Sequence, residues 1–225
     1  MTTSRFYVED IPASGSLTLP SEIARHARAL RIQEGTIIGL FDGKHEYQAR
    51  FQGATADILQ KSESKDQSSA QITLAIAFPK GSRLDWLIEK ATELGVHTII
   101  PLITKRTIVQ PRETKVERLR KLAIAACEQC GRTTIPRISE PVPVDKLLVD
   151  VTHYDTCVVA DFSGNKLLLP KIAKKILAIV GPEGGFTSEE LENAKTAGCT
   201  FVNLGQTTLR TETAGVAILA LLRGA

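Results

Sequence analysis

The spacing of hydrophobic positions changes part of the way along the chain. In residues 1–61, short apolar stretches alternate with polar residues, which is the pattern of half-buried β-strands. A helix is predicted over Ile23–Leu30, and Asp42-Gly43 between two alternating stretches indicates a tight hairpin turn. The first part of the chain is therefore predicted to be a small β-rich unit.

From Gln71 onward, longer apolar runs alternate with amphipathic helices. Continuous apolar runs are typical of parallel strands that are buried on both faces. The predicted strands are Ile72–Phe78, Thr98–Ile103, Cys157–Ala160, Ile176–Val180 and Thr200–Leu204. Helices are predicted over Ser82–Leu94 and Lys115–Cys130, where apolar residues recur at helical spacing. This alternation indicates an α/β domain with an open parallel sheet.

The stretch Lys61–Ser69 separates the two patterns. It is polar, lacks apolar residues and has no periodicity, so it is predicted to be a linker or a loose hairpin tip. We therefore predict two domains, residues 1–68 and residues 69–225.

Composition excludes several classes of protein. Of the 225 residues, 43% are hydrophobic, yet no apolar run approaches the length of a membrane span. The first residues do not resemble a secretory signal, so a cytoplasmic location is predicted. Cys127 and Cys130 form a C-x-x-C pair, but it falls inside a helical pattern with no second pair, which favours packing over a metal or redox site. No metal is expected.

Charge is distributed unevenly along the chain. The formal net charge is +3, but residues 105–137 hold nine Lys/Arg against three Glu, a local excess of six. A basic belt on a nearly neutral protein indicates an anionic partner, with nucleic acid the leading candidate. A solvated helix face explains the same charges equally well.

Common catalytic signatures are absent from the chain. No Rossmann, P-loop or nucleophile-elbow motif occurs, and the four histidines are scattered. What remains is Ile179–Leu222, where Gly181-Pro182-Glu183-Gly184-Gly185 follows a buried strand and Leu204-Gly205 follows the next. Glycine loops allow a ligand to approach the backbone, and strand ends of a parallel sheet are where ligands bind. A ligand site is therefore predicted there.

Two further patterns belong to the same stretch. Thr187 followed by Glu190 is a capping box, which predicts a helix start at that point. The helix predicted over Ala214–Leu222 is apolar on all sides, so it is expected to be buried against its own sheet and against a second subunit.

Four segments are distinctive in combination: Arg25–Arg31, Lys90–Val96 with Pro101, Glu128–Arg132 with Ile135-Pro136, and Gly181–Phe186 through Leu209–Ala214. Together they resemble the RsmE family of SPOUT-class RNA methyltransferases, which makes 3-methyluridine in small-subunit (16S) ribosomal RNA. The resemblance covers nearly the whole chain, in order. It implies an N-terminal PUA-like β-barrel that binds RNA and a C-terminal SPOUT α/β domain with a deep trefoil knot. It also implies a homodimer through the knot domain, acting on ribosomal RNA or the small ribosomal subunit.

The resemblance also implies the residues of the site. The cofactor would be S-adenosylmethionine, bound by Leu102, Gly181, Pro182, Glu183, Gly184, Gly185, Leu204, Gly205, Leu209, Arg210, Glu212, Thr213 and Ala214. RNA contacts are expected from Arg25, Arg28, Arg31, Lys105, Arg106 and Arg132. This chain departs from the family at Thr207 and Thr208, where a basic residue is usual, which leaves one contact unassigned.

Uracil N3 carries a proton and is a poor nucleophile until that proton is lost. Arg210 and Arg132 are the predicted sources of positive charge for the resulting anion. Glu183, Glu128 and Glu212 are alternative proton acceptors, and the sequence does not rank them. Two other functions stay open: a ribose 2′-O-methyltransferase of the same fold acting on transfer RNA, and a non-catalytic RNA-binding protein.

Overall fold

A computed structural model describes residues 4–64, 70–108, 116–165 and 174–223. The chain forms two compact units, the first made of residues 1–67 with 124–135 and the second of residues 68–123 with 136–225. The predicted boundary at residues 68 and 69 lies outside the described residues. Segment 124–135 belongs to the first unit although it lies far from residues 1–67 along the chain.

Residues 4–64 of the first unit form a five-stranded sheet and a helix. Its elements are β1 (Arg5–Tyr7), β2 (Gly15–Thr18), α1 (Ser21–Ala29), β3 (Ile37–Phe41), β4 (His45–Gln52) and β5 (Thr55–Glu63). The strand order is β1-β3-β4-β5-β2, antiparallel except that β1 runs parallel to β3. Alternation along β4 buries Tyr47, Ala49 and Phe51 against Ile23 and Ala27 of α1 in one core. The predicted β-rich unit is confirmed.

The second unit is built on a parallel sheet. Its elements are β6 (Gln71–Ile76), α2 (Ser82–Glu93), β7 (Thr98–Ile103), α3 (Val116–Cys130, which continues into the first unit), β8 (Arg137–Ile138), β9 (Val142–Pro143), α4 (Val144–Val149), β10 (Thr156–Asn165), β11 (Lys175–Val180), α5 (Ser188–Thr196), β12 (Thr200–Val202) and α6 (Thr211–Arg223). The order β12-β10-β11-β6-β7-β8 is parallel throughout, and β9 also pairs with β7 in parallel. The predicted α/β sheet is confirmed.

Helices cover both faces of this sheet. One face packs under α4 and α5, with Leu102, Leu177 and Val159 in a shared core. On the central strands, α6 contacts α2, β6 and β11. Gly215 lets α6 approach closely, because a Cβ at this position would lie 2.6 Å from Ile76 Cδ1.

The last helix differs from its prediction in one respect. It begins at Thr211, three residues before the predicted start at Ala214, so Glu212 and Thr213 lie in its first turn. The chain thus leaves β12 at the edge of the sheet and returns to the centre in α6. Such a return is consistent with the path of a knotted C-terminal segment.

Candidate functional site

A cleft in the second unit lies around the carboxyl-terminal parts of β10, β11 and β12. Its walls come from β10, from the loops that follow β11 and β12, and from the start of α6. The lining residues are Ala160, Asp161, Phe162, Val180, Gly181, Pro182, Glu183, Gly185, Phe186, Asn203, Leu204, Gly205, Thr207, Thr208, Leu209, Thr211 and Ala214. Open parallel sheets bind their ligands at this edge.

The first wall is the glycine-rich loop, residues 181–187. The Gly185 amide donates to the Pro182 carbonyl at 2.8 Å, and Gly185 has φ +68, a left-handed conformation that favours glycine. The loop ends in the predicted capping box, which is confirmed. Glu190 N donates to Thr187 Oγ1 at 3.2 Å, and Thr187 N donates to Glu190 Oε2 at 2.7 Å. Both hydrogen bonds of the capping box are formed, so the residue at which the loop ends and α5 begins is fixed.

The second wall is the segment Asn203–Arg210. Asn203 Nδ2 donates to the Phe162 carbonyl at 3.1 Å, and Asn203 Oδ1 accepts from Gly205 N at 2.8 Å. Gly205 has φ +137, which again favours glycine. At the start of α6, Thr211 Oγ1 donates to the Gly181 carbonyl at 3.3 Å. These bonds tie the second wall to β10 and to the glycine-rich loop.

Two basic residues after β7 meet the glycine-rich loop. Arg106 Nη1 donates to the Gly184 carbonyl at 2.7 Å and to the Phe186 carbonyl at 3.2 Å. The Lys105 backbone amide donates to Glu190 Oε1 at 2.8 Å, while the Lys105 side chain is exposed. Arg106 was predicted to contact RNA, and its guanidinium is engaged with protein carbonyls.

Three charged side chains meet beside the cleft. Arg83 Nη1 of α2 lies 3.2 Å from Glu183 Oε1 and 3.8 Å from Glu212 Oε1. Glu183 is exposed, whereas Glu212 is only 5% exposed and its Oε2 has no hydrogen-bond partner in the described part of the chain. Glu212 lies in the first turn of α6, where the helix dipole favours a negative charge. Arg210 is exposed and forms no ion pair with a described residue.

The remaining two catalytic candidates, Glu128 and Arg132, belong to the first unit. Glu128 Oε1 accepts from the Tyr7 amide at 3.0 Å. Burial raises the pKa of Glu128, and the Tyr7 hydrogen bond with the nearby His26 and Arg5 opposes that shift only in part. Arg5 Nη1 also donates to the carbonyls of Cys127 and Arg132, at 3.4 and 3.5 Å.

The three arginines predicted to contact RNA in this unit are exposed. Arg25 and Arg28 lie on the polar side of α1, whose opposite side buries Ile23, Ala24 and Ala27. Arg31 follows the helix with φ +57. A basic surface on α1 is thus available to an anionic ligand.

The cleft brings together part of the predicted cofactor set. Lining it are Gly181, Pro182, Glu183, Gly185, Leu204, Gly205, Leu209 and Ala214. Gly184, Arg210, Glu212 and Thr213 flank these residues along the chain without lining the cleft, and Leu102 is fully buried in the core below α4 and α5. The individual roles stay predictions.

Several lining residues were not predicted. Ala160, Asp161 and Phe162 reach the cleft because β10 lies between β11 and β12, and strand neighbours cannot be read from chain order. A local signal existed for Asn203, since Asn two residues before Gly is typical of an Asx-turn.

Two kinds of feature are absent from the described ranges, 4–64, 70–108, 116–165 and 174–223. No described helix has the length and apolar character to cross a membrane. No group of three or more His, Cys, Asp or Glu side chains in these ranges could hold a metal ion.

Fold and cleft together define a parallel α/β domain with a ligand site at its strand ends, accompanied by a β unit with a basic helix. Two family models match the chain, one in each part of the sequence. Residues 66–223 match an RNA methyltransferase domain, and residues 19–63 match an RNA methyltransferase PUA domain. The class is thus an RNA methyltransferase with a PUA-like N-terminal domain and a SPOUT α/β domain.

Relatives and solved structures narrow the class. The chain is 32% identical to ribosomal RNA small subunit methyltransferase E of Synechocystis, over 86% of this chain and 67% of the relative. It is 29% identical to the Bacillus subtilis protein of the same name, over 97% and 95%. A Neisseria gonorrhoeae small subunit methyltransferase E bound to S-adenosyl methionine superposes with a TM-score of 0.91 at 32% identity, covering 99% and 98%. The chain belongs to the RsmE family of ribosomal RNA methyltransferases.

Proposed function

We propose that this protein transfers a methyl group from S-adenosylmethionine to N3 of a specific uridine in 16S ribosomal RNA. The observation that carries the proposal is the cleft at the ends of β10, β11 and β12, formed by the two loops that the family resemblance assigns to the methyl donor. Structures of two similar proteins, from Neisseria gonorrhoeae and Legionella pneumophila, contain this cofactor. The Legionella protein has a TM-score of 0.88 at 30% identity, over 100% of this chain and 98% of that one.

The lining suits a molecule with apolar and polar parts. Val180, Phe186, Leu204 and Leu209 supply apolar surface, which can cover an adenine ring and a methionine chain. The glycines carry no side chain between the cleft and the backbone of its two loops, which allows a ligand to approach that backbone closely. When bound, the cofactor supplies a methyl group that its sulfonium centre has already activated.

The protein's own residues have to position the donor and the uridine and to stabilise the charge that develops when N3 loses its proton. The exposed Arg210, which forms no ion pair among described residues, is available to stabilise negative charge on the uracil oxygens. For the N3 proton, Glu183 is the one of the three candidate carboxylates that lines the cleft, and burial raises the pKa of the candidate Glu128, which strengthens it as a base. Arg132 stays the second predicted source of positive charge.

The first domain, residues 1–68, is proposed to bind mainly RNA, and residues 69–225 are proposed to bind the donor and to add an RNA contact through Lys105. Arg25, Arg28 and Arg31 would contact phosphates, an interaction that weakens with salt. The homodimer through the knot domain is carried over from the family resemblance, and Leu221 of α6 is 47% exposed and available to such a contact. The expected location is the cytoplasm, where ribosomal RNA is the substrate, alone or in the small subunit.

A steric block of the cleft tests the proposal. Thr208→Trp places a bulky ring in the cleft from an exposed lining position, and Gln206→Trp is the matched control, since Gln206 is exposed in the same segment without lining the cleft. We expect calorimetry to show loss of S-adenosylmethionine binding in Thr208→Trp alone.

Nucleoside analysis completes the test. Small-subunit RNA from cells lacking the protein should regain 3-methyluridine with the wild type and with Gln206→Trp, and should not regain it with Thr208→Trp. A ribose-methylated product, or normal donor binding by Thr208→Trp, would contradict the proposal.

A further inference from the structure

Two segments of the second unit are joined by hydrogen bonds in which a side chain of each segment binds the backbone of the other. Arg106, after β7, donates from Nη1 to the carbonyls of Gly184 and Phe186, at 2.7 and 3.2 Å. From the opposite side, the carboxylate of Glu190 accepts the Lys105 amide at 2.8 Å. Strand β6 lies between β7 and β11, so these contacts span the end of a strand that contributes to neither segment. We call this arrangement the β7–β11 clamp.

The buried half of the clamp is Glu190. The residue is 2% exposed, and its two carboxylate oxygens accept different backbone amides, Oε1 from Lys105 and Oε2 from Thr187. A buried carboxylate is tolerated when both oxygens are hydrogen-bonded, and bonds to a charged group are stronger than neutral ones. Glu190 therefore sets the separation of the two segments.

The exposed half of the clamp is Arg106. It binds the glycine part of the loop, where no side chain of the loop fixes the backbone conformation. The two carbonyls bound by Arg106 flank Gly185, which lines the cleft with φ +68. A glycine-rich loop has many accessible conformations, and ordering it costs conformational entropy. Hydrogen bonds on both sides of Gly185 restrict that freedom before any ligand binds, which is the condition for a preformed site.

We propose that Arg106 is a positioning residue that, with Glu190, holds the glycine-rich loop in the conformation that binds the methyl donor. The identity of the ligand rests on the function proposed above. Arg106 then contributes to RNA methylation through the donor site rather than through contact with RNA. Lys105, whose exposed side chain forms no ion pair among described residues, is the member of the basic pair left to bind phosphate.

Adjacent residues of equal charge allow a matched test in the full-length protein. Arg106→Gln and Lys105→Gln each remove one positive charge, but only the first breaks the clamp. For Arg106→Gln we expect about tenfold weaker S-adenosylmethionine binding by calorimetry, as for the loss of a charge-assisted hydrogen bond. Arg106→Lys should recover part of that affinity, since an ammonium can reach one carbonyl but lacks the planar fork. The KM for donor should rise and the KM for RNA should stay constant.

Lys105→Gln should behave in the opposite way. Donor affinity should equal that of the wild type, and the slope of log K for RNA against log salt should fall by about one, the loss of one phosphate contact. Arg106→Gln should leave that slope unchanged. Circular dichroism melts of each variant establish that the fold is retained.

Two results would overturn the inference. The first is wild-type donor affinity in Arg106→Gln, and the second is a salt slope in Arg106→Gln that falls as it does in Lys105→Gln. Thr208→Trp separates failure of the inference from failure of the donor site itself. If that block leaves donor binding intact, the cleft is not the donor site, whatever Arg106 does.

Discussion

Replacing Arg83 by glutamine removes the positive charge shared by two carboxylates beside the cleft. Arg83 Nη1 lies 3.2 Å from Glu183 Oε1 and 3.8 Å from Glu212 Oε1. The two partners differ in exposure, because the Glu183 side chain is 47% exposed and the Glu212 side chain is 7% exposed. Loss of Arg83 therefore leaves Glu183 in contact with water and leaves Glu212 as a buried carboxylate without its neighbouring cation.

The magnitude follows from this difference. Two unit charges about 4 Å apart attract by about 4 kcal/mol at an effective dielectric constant near 20. Water screens the pair because the Arg83 side chain is 37% exposed, so the gain is well below that figure. We expect Arg83→Gln to lower the free energy of unfolding by about 1–2 kcal/mol, nearly all of it from the uncompensated charge on Glu212.

Urea denaturation followed by circular dichroism measures this loss. Arg118→Gln is the matched control. Arg118 forms a bidentate ion pair with Asp85, which lies on α2 like Arg83, and each of the two hydrogen bonds is 2.8 Å long. Both side chains of this pair are exposed. The control should lose about 0–1 kcal/mol. In the Arg83→Gln background, Glu212→Gln should restore stability, because it removes the buried charge. Equal losses in Arg83→Gln and Arg118→Gln, or no restoration by Glu212→Gln, would refute the reasoning.

Three further outcomes follow from the structure. Burial and a hydrogen bond to Asp42 raise the pKa of Tyr47 to about 12, so its contribution to stability is present below the ordinary tyrosine pKa of about 10 and is lost as pH rises from there through 12. The difference in unfolding free energy between wild type and Tyr47→Phe should shrink over that range, and a pH-independent difference would contradict the shift. Gly215→Val should cost about 1–3 kcal/mol by overpacking, since the added Cβ would meet Ile76, and an unchanged thermal melt would show that α6 can move away. Arg5→Lys should speed amide hydrogen exchange in residues 127–133, because Arg5 binds the carbonyls of Cys127 and Arg132, and unchanged exchange would show that other contacts hold this segment.

The sequence by itself determined the structural features that depend on residues close together along the chain. The alternation along β4 and the helical spacing along α2 predicted their elements, because each pattern reports which side of one element faces the core. The capping box of Thr187 and Glu190 was predicted and is confirmed, since both of its bonds join residues three apart. The family resemblance then connected the two glycine-bearing loops to a methyl donor.

Only the tertiary structure decided which distant segments meet. Segment 124–135 joins the first unit, where Arg5 and the Tyr7 amide bind it across more than a hundred residues. The contact of Arg106 with Gly184, and the entry of Phe162 into the cleft, likewise depend on the order of strands in the sheet. Periodicity and local motifs carry no information about which strands become neighbours. Which strands become neighbours depends on packing over the whole domain. The sequence therefore determined the two loops of the site, and the tertiary structure decided which other residues line the cleft and which contacts hold the loops in place.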